Sequence, residues 1–230
     1  MKVGTRIARI VLSTVALAAC ETRPSTGIAG GSTATLRFIN ATATNIDVVS
    51  GSSVLTNNGN LGFGEHSSCV GLDAANPNVS VRATGTTTAL TGFSPTVAVG
   101  GKYLVIAYRD AAGTTQFANF TSNGFTPNSG QSGLRVFDAA TGSNNFDVYL
   151  TAPGAALSVA SATNLSFANS TSFFGVDAST VQLRLTTSGS QTVVFNAGSQ
   201  TLTAGQDYIL VIAPPVSGSS ELRSFLVMAC

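Results

Sequence analysis

The chain has 230 residues, 43 % hydrophobic and only 9 % charged, with eleven basic and ten acidic side chains and a formal net charge of +1. Such hydrophobicity excludes ordinary disorder, which needs low hydrophobicity with high net charge. No Lys/Arg cluster occurs after Arg9, which excludes a nucleic-acid partner held by several neutralised phosphates.

Residues 1–19 have the layout of a secretory signal: Lys2, Arg6 and Arg9 with no acid, then an apolar run over 10–19. The run is about half the ~20 residues that a spanning helix needs, so it is expected to address the chain rather than anchor it. Leu17-Ala18-Ala19-Cys20 closes it and resembles the bacterial lipobox. That resemblance implies cleavage before Cys20 and acyl chains on its thiol; an ordinary signal peptide with a chance cysteine is the alternative. Several acyl chains, at about 0.8 kcal/mol per buried methylene, hold a protein on a membrane where one chain is marginal. The membrane is thus the expected partner through Cys20, and the cell envelope the expected location. Glu21, by resemblance to known sorting preferences, favours the outer membrane. Removing the signal leaves eight positive against ten negative side chains, a net charge of about −2.

Residues 20–35, the lipidated cysteine and a Gly/Ser/Thr/Pro-rich stretch without strand or helix periodicity, read as a flexible tether with a reach of about 20 Å. The remainder of the chain is one pattern written twice. Leu36-Arg37-Phe38-Ile39-Asn40-Ala41 is echoed by Leu134-Arg135-Val136-Phe137-Asp138-Ala139, and Asn45-Ile46-Asp47-Val48 by Asn145-Phe146-Asp147-Val148. Phe63 returns as Phe167, Gly71-Leu72-Asp73-Ala74 as Gly175-Val176-Asp177-Ala178, and Val79-Ser80-Val81-Arg82 as Val181-Gln182-Leu183-Arg184. The series ends with Gly100-Gly101-Lys102-Tyr103-Leu104 against Gly205-Gln206-Asp207-Tyr208-Ile209. The order is the same in both halves, so residues 36–120 and 134–230 are expected to be two copies of one module, joined by a turn-rich linker over 121–133.

Short alternating runs such as Val79/Val81 and Leu183/Leu185, separated by turn residues every eight to twelve positions, predict strands; no window outside the signal carries a sustained helical period. The expected fold class is all-β: two tandem immunoglobulin-like antiparallel β-sandwich modules of about seven to nine strands each. Tyr103 and Tyr208 each come after a Gly-containing turn and open an apolar strand, similar to a tyrosine corner, in which the phenol bridges back to the backbone. Cys69 and Cys230 are expected to pair in an oxidising exported compartment, linking the halves; two separately buried thiols are the alternative.

The opening Leu-Arg strand, the Asp-Val strand and the closing Gly-x-x-Tyr strand, each present twice, resemble a bacterial family of surface domains of unknown function, numbered 4397, often found as tandem copies in lipid-anchored envelope proteins. The resemblance covers nearly all of the mature chain. Asn40-Ala41-Thr42 and Asp138-Ala139-Ala140 are degenerate versions of the family's fuller opening, without its His and Pro. The family carries no established chemistry to transfer.

Chemistry-bearing motifs are sparse. His66, beside Glu65 in a polar turn, lacks a local nucleophile and orienting carboxylate, and reads as a solvated residue. No Gly-x-Ser-x-Gly elbow, Walker loop, Cys-x-x-Cys pair or dinucleotide fingerprint occurs, so the serines read as surface composition. The recurrent acids Asp47/Asp147 and Asp73/Asp177 have two readings, a calcium site per module or turn-capping carboxylates. Turn capping is favoured, because calcium loops concentrate several acids within a dozen residues. Arg37/Arg135 and Arg82/Arg184, each between apolar neighbours on a strand, are expected to face outward, where arginine keeps a sheet soluble or meets a sugar or carboxylate. Phe125, Phe173 and Phe174 are either a ligand patch or core. Asn-x-Ser/Thr triplets at Asn40, Asn78, Asn119, Asn164 and Asn169 are compositional in a lipobox-bearing chain.

The expected function is a lipid-anchored envelope protein, not an enzyme and without catalytic, metal or cofactor residues, whose modules bind or space an unidentified protein or glycan. The alternatives are a periplasm-facing accessory subunit of an envelope assembly and, behind it, a hydrolase with an unrecognised carboxylate pair. The intact mass of membrane-extracted protein should begin at an acylated Cys20; a retained Met1 or an unmodified Cys20 would overturn the anchor.

Overall fold

Alternation decides where each strand lies, and here it places apolar side chains on both faces of the innermost strands. The structure, a computed structural model, describes residues 33–122 and 125–230; the signal, Cys20 and most of the tether lie outside the described residues. The first module comprises β1 (Thr33–Asn40), β2 (Ile46–Ser50), β3 (Ser53–Val54), β4 (Val70–Asp73), β5 (Ser80–Ala83), β6 (Lys102–Arg109) and β7 (Thr115–Thr121). The second comprises β8 (Gln131–Asp138), β9 (Phe146–Thr151), β10 (Ala162–Leu165), β11 (Phe174–Asp177), β12 (Thr180–Thr187), β13 (Val193–Thr201), β14 (Asp207–Ala213) and β15 (Arg223–Met228). β1 therefore begins within the stretch read as tether, and β8 within the stretch read as linker. Among the described residues no helix is long and apolar enough to cross a membrane.

Each module is a sandwich of two sheets. In the first, the order β4-β1-β6-β7 faces β3-β2-β5; in the second, β11-β8-β14-β15 faces β10-β9-β12-β13. Residues i and i+2 share a face, so Leu36 and Phe38 of β1 with Tyr103 and Val105 of β6 pack against Ile46, Val48 and Val81 of the facing sheet. The second module repeats this with Leu134, Val136, Tyr208 and Leu210 against Phe146, Val148, Leu183 and Leu185. The all-β sandwich stands as expected, but one pair per module departs from the antiparallel rule: β1 runs parallel to β6, and β8 to β14. Parallel neighbours cannot be joined by a hairpin, and in both modules the intervening chain crosses to the facing sheet before returning.

The alternate positions of the same strands form a third core. Ile39, Ala41, Leu104 and Ile106 of the first module meet Phe137, Ala139, Ile209 and Val211 of the second, all at most 2 % exposed. The four sheets thus stack in one pile, with the β1 and β8 sheets inside. The paired residues are the same repeat positions, Ile39 with Phe137 and Leu104 with Ile209, so the two modules meet through one patch used twice, the arrangement of a twofold dimer within one chain. Tyr108 and Phe120 pack edge-on against Phe137, at ring centroid separations of 5.4 and 5.3 Å. Phe63 meets Phe225 across the same seam at 5.0 Å. Gly64 (φ +83°) leaves the space that the Phe225 ring fills: a Cβ there would lie 2.5 Å from it.

Cys69, just before β4, and Cys230, after β15, are disulfide-bonded with Cα atoms 5.9 Å apart and stand 161 positions apart in sequence. Closing so long a loop removes much unfolded-chain entropy. Replacing both cysteines by serine should lower the unfolding free energy by about 3–5 kcal/mol, read as a lower urea midpoint. Unfolding should remain a single transition, because the shared core persists; two transitions would mean that the bridge alone couples the modules.

Candidate functional site

Three polar constructions are repeated or contrasted between the modules. The first is a clasp around the Asp-Val strand. Asp47 Oδ1 accepts the Asn60 N–H at 2.8 Å and the Thr84 hydroxyl at 2.8 Å, while Oδ2 takes Arg82 at 3.4 Å. Asp147 does the equivalent, accepting the Asn164 N–H at 2.8 Å on Oδ1 and the Gly189 N–H at 2.8 Å on Oδ2. Asn60 and Asn164 both have left-handed backbone (φ 54° and 56°), a conformation asparagine tolerates, and each accepts the side-chain amide of Asn45 or Asn145. Burial pushes the Asp47 carboxyl up, but Asn60, Thr84 and Arg82 outweigh it and hold it below the usual carboxylate range. For Asp147 burial is likewise outweighed, by Asn164, Gly189 and Ser188. These oxygens face donors, as turn-capping carboxylates do. Asp73 accepts the Ala75 N–H and Asp177 the Gln131 amide. Among the described residues no three His, Cys, Asp or Glu are grouped to hold a metal.

The second construction flanks the seam between modules at two repeat-related places. At one lie the Cys69–Cys230 bond and Arg37, whose guanidinium donates to Met228 O and, at 3.1 Å, to Cys69 Sγ. At the other, Phe125 stacks on Phe173 with centroids 5.6 Å apart, and the Arg135 guanidinium sits 4.5 Å over Phe173 and 5.1 Å over Phe120. Arg37 and Arg135 are one repeat position. Their expected outward orientation is corrected: they do point away from their own module's core, but stacking turns that face toward the sister module, and burial lowers both guanidinium pKa values. Arg82 also turns to a partner, Asp47, and Arg184 donates to Thr151 Oγ1 and Ala155 O. The Tyr103 phenol oxygen accepts the Ala98 N–H at 2.8 Å and that of Tyr208 the Thr203 N–H at 3.2 Å, each closing the turn that precedes its strand. His66 is exposed, its Nδ1 3.0 Å from Ser67 O, and Glu65 accepts the Gly62 N–H.

The third is an open groove of about 480 Å³ in the second module, along β10 and the connection to β11, lined among others by Ser161, Thr163, Asn164, Ser172, Phe173 and Phe174. No charged side chain lines it. Of the aromatics that the sequence offered as a ligand patch or core, Phe173 and Phe174 line this groove and Phe125 does not; its serines and threonines were not legible because they are indistinguishable from the rest of a hydroxyl-rich surface. The clasp asparagines, Asn60 and Asn164, were legible only by aligning the repeats.

One buried group differs between the repeats. Asn40 donates its amide to Thr44 O and Leu61 O and accepts the Thr42 N–H. Its counterpart Asp138, fully buried, accepts the Ala140 N–H and the Ser143 hydroxyl, and burial pushes its carboxyl up to about 6 against those two bonds.

A family model described as "Domain of unknown function (DUF4397)" matches residues 34–149, taking in the strands of the first module and the opening two of the second. None of the curated proteins matches the chain.

An acid whose folded pKa is raised holds its proton more tightly when folded, so the stability it contributes is present at low pH and lost as pH rises from the ordinary carboxylate range through about 6. Asp138→Asn should therefore raise Tm by about 2–4 °C at pH 8 and leave it unchanged at pH 4. Equal shifts at both pH values in thermal melts would contradict this.

Proposed function

The chain belongs to the DUF4397 family, and from that premise we propose that it is a lipid-anchored protein of the bacterial cell envelope whose two sandwich modules form a non-catalytic binding or spacing body. The observation that carries the reading is the joining of the modules: a shared apolar core and the Cys69–Cys230 bridge make them one unit. A bridge of this kind persists in oxidising, exported compartments, in agreement with the signal-like residues 1–19 and the lipobox-like tetrapeptide ending at Cys20. Four stacked sheets at about 10 Å spacing give a body about 30 Å deep between its outermost layers, held off the membrane by the tether. Support for a non-catalytic role comes from the recurrent acids, since Asp47 and Asp147 are committed to capping turns and carry no activated nucleophile beside them. The membrane, through Cys20, is one partner of this reading, and a protein or glycan met by the modules is the other.

A second reading, a periplasm-facing accessory subunit of a larger assembly, is favoured by one feature. β13 is an edge strand of nine residues, and Val193 and Val194 on it are exposed, which is the kind of edge that pairs with another chain.

Protease shaving of intact cells separates the two. Release of fragments from 33–230 is the expected result; fragments that survive until the envelope is broken would replace the surface-facing reading with the periplasmic one.

A further inference from the structure

The modules differ most on the side where their two sheets part. In the first module Asn58 spans that gap: its side-chain oxygen accepts the Ser68 hydroxyl at 3.0 Å and its amide donates to Thr56 O at 2.8 Å, with Asn58 itself buried. The edge of one sheet is thereby tied to the edge of the other. The clasp fixes the alignment of the repeats here, Asn60 with Asn164, so Asn58 corresponds to Ala162 and Ser68 to Ser172. With a methyl group in place of the amide, the strut across the gap is missing, and the groove of about 480 Å³ lies at that point.

The groove is built on a well-held segment. Ala168 N–H donates to Asp138 O, Asp138 N–H to Asn169 O, and Val136 N–H to the Thr171 hydroxyl, so little ordering is left for a ligand to impose. Its volume is that of a small-molecule site. The hydroxyls of Ser161, Thr163 and Ser172 make no hydrogen bond among the described residues, and they share the lining with the Asn164 amide and the rings of Phe173 and Phe174. An anionic ligand would find no cation in the lining, and a wholly apolar one would strand the hydroxyls. A neutral saccharide has the matching chemistry: many donors and acceptors, no charge, and a C–H face that packs on a phenyl ring.

We infer that the groove beside Ala162 is a binding site for a neutral saccharide of one or two rings, held by the hydroxyls and the Asn164 amide and seated against Phe174, the Phe173 ring being already stacked on Phe125 and under Arg135. The inference rests on the reading of the modules as an envelope binding body and names the ligand class that body takes. At the same positions in the first module the Asn58 side chain spans the gap.

The test is saturation-transfer NMR on the full-length protein in a polyoxyethylene detergent, which carries no sugar. The probes are glucose, galactose, mannose, N-acetylglucosamine and their β-linked disaccharides, with glucuronic acid as the charged comparison. At least one neutral saccharide should receive saturation and glucuronic acid should not. Ala162→Asn, which rebuilds a strut that this fold already carries in its first module, should weaken that binding by roughly tenfold or more with the melting temperature retained. Ser172→Ala, an exposed single-hydroxyl change, should weaken it several-fold and serves if Ala162→Asn does not fold. Absence of transfer to every neutral saccharide, preference for glucuronic acid, or binding unchanged in the folded variants would overturn the inference. Cell shaving reads the envelope placement separately, so failure of the saccharide site leaves that result standing.

Discussion

Four strands, β1, β6, β8 and β14, are apolar at consecutive positions rather than alternate ones, and that constrains everything around them. Ile39 and Leu104 cannot face water any more than Phe38 and Val105 can, so each module's inner sheet must be covered twice, once by its own outer sheet and once by the sister module. Strands buried on both faces read as continuous hydrophobic runs for this reason. The low charge of the chain is tolerable because its most apolar faces are covered by one another, leaving the outer sheets and loops to carry the Ser, Thr and Asn.

Once two copies of a patch are locked together, their repeat positions are no longer under the same demands. Cys69 and Phe173 occupy equivalent places beside the seam; one is covalently fixed to Cys230 and the other stacks on Phe125, with Arg37 and Arg135 lying beside them in turn. Asn40 and Asp138 hold the same buried turn, but the amide donates and accepts where the carboxyl has only acceptors unless protonated. Asn58 and Ala162 differ by a single side chain that either closes or leaves open the side of the sandwich. The clasp keeps one bond in both copies, Asp47 or Asp147 holding the N–H of φ-positive Asn60 or Asn164, while its other donors differ: Arg82 pairs with Asp47, whereas Arg184 turns to Thr151 and Ala155.

The strand period, the duplication and the tyrosine-closed turns were all legible in the residue pattern, because each is a local property: alternation of side chains, turn residues at fixed offsets, and an aromatic five residues after the amide it meets. The orientation of Arg37 and Arg135 was not. From the strand alone an arginine between apolar neighbours faces away from its core, which is true of each module by itself and misleading for the pair. Of the groove, only the Phe173-Phe174 pair stood out in the sequence; its hydroxyls were hidden, since a serine that lines a cavity and a serine that faces solvent are identical in a sequence.

The amino-acid sequence by itself determined that this chain is all-β, that it is one module written twice, and that it begins with a segment resembling a lipoprotein signal, since all three are matters of pattern along the chain. Only the tertiary structure decided that the modules stack face to face, that β1 and β8 pair in parallel with β6 and β14, and that one module stays open where the other is strutted. Those outcomes depend on which surfaces meet across a hundred residues of intervening chain, and such meetings are set by the packing of whole sheets rather than by any local run of residues.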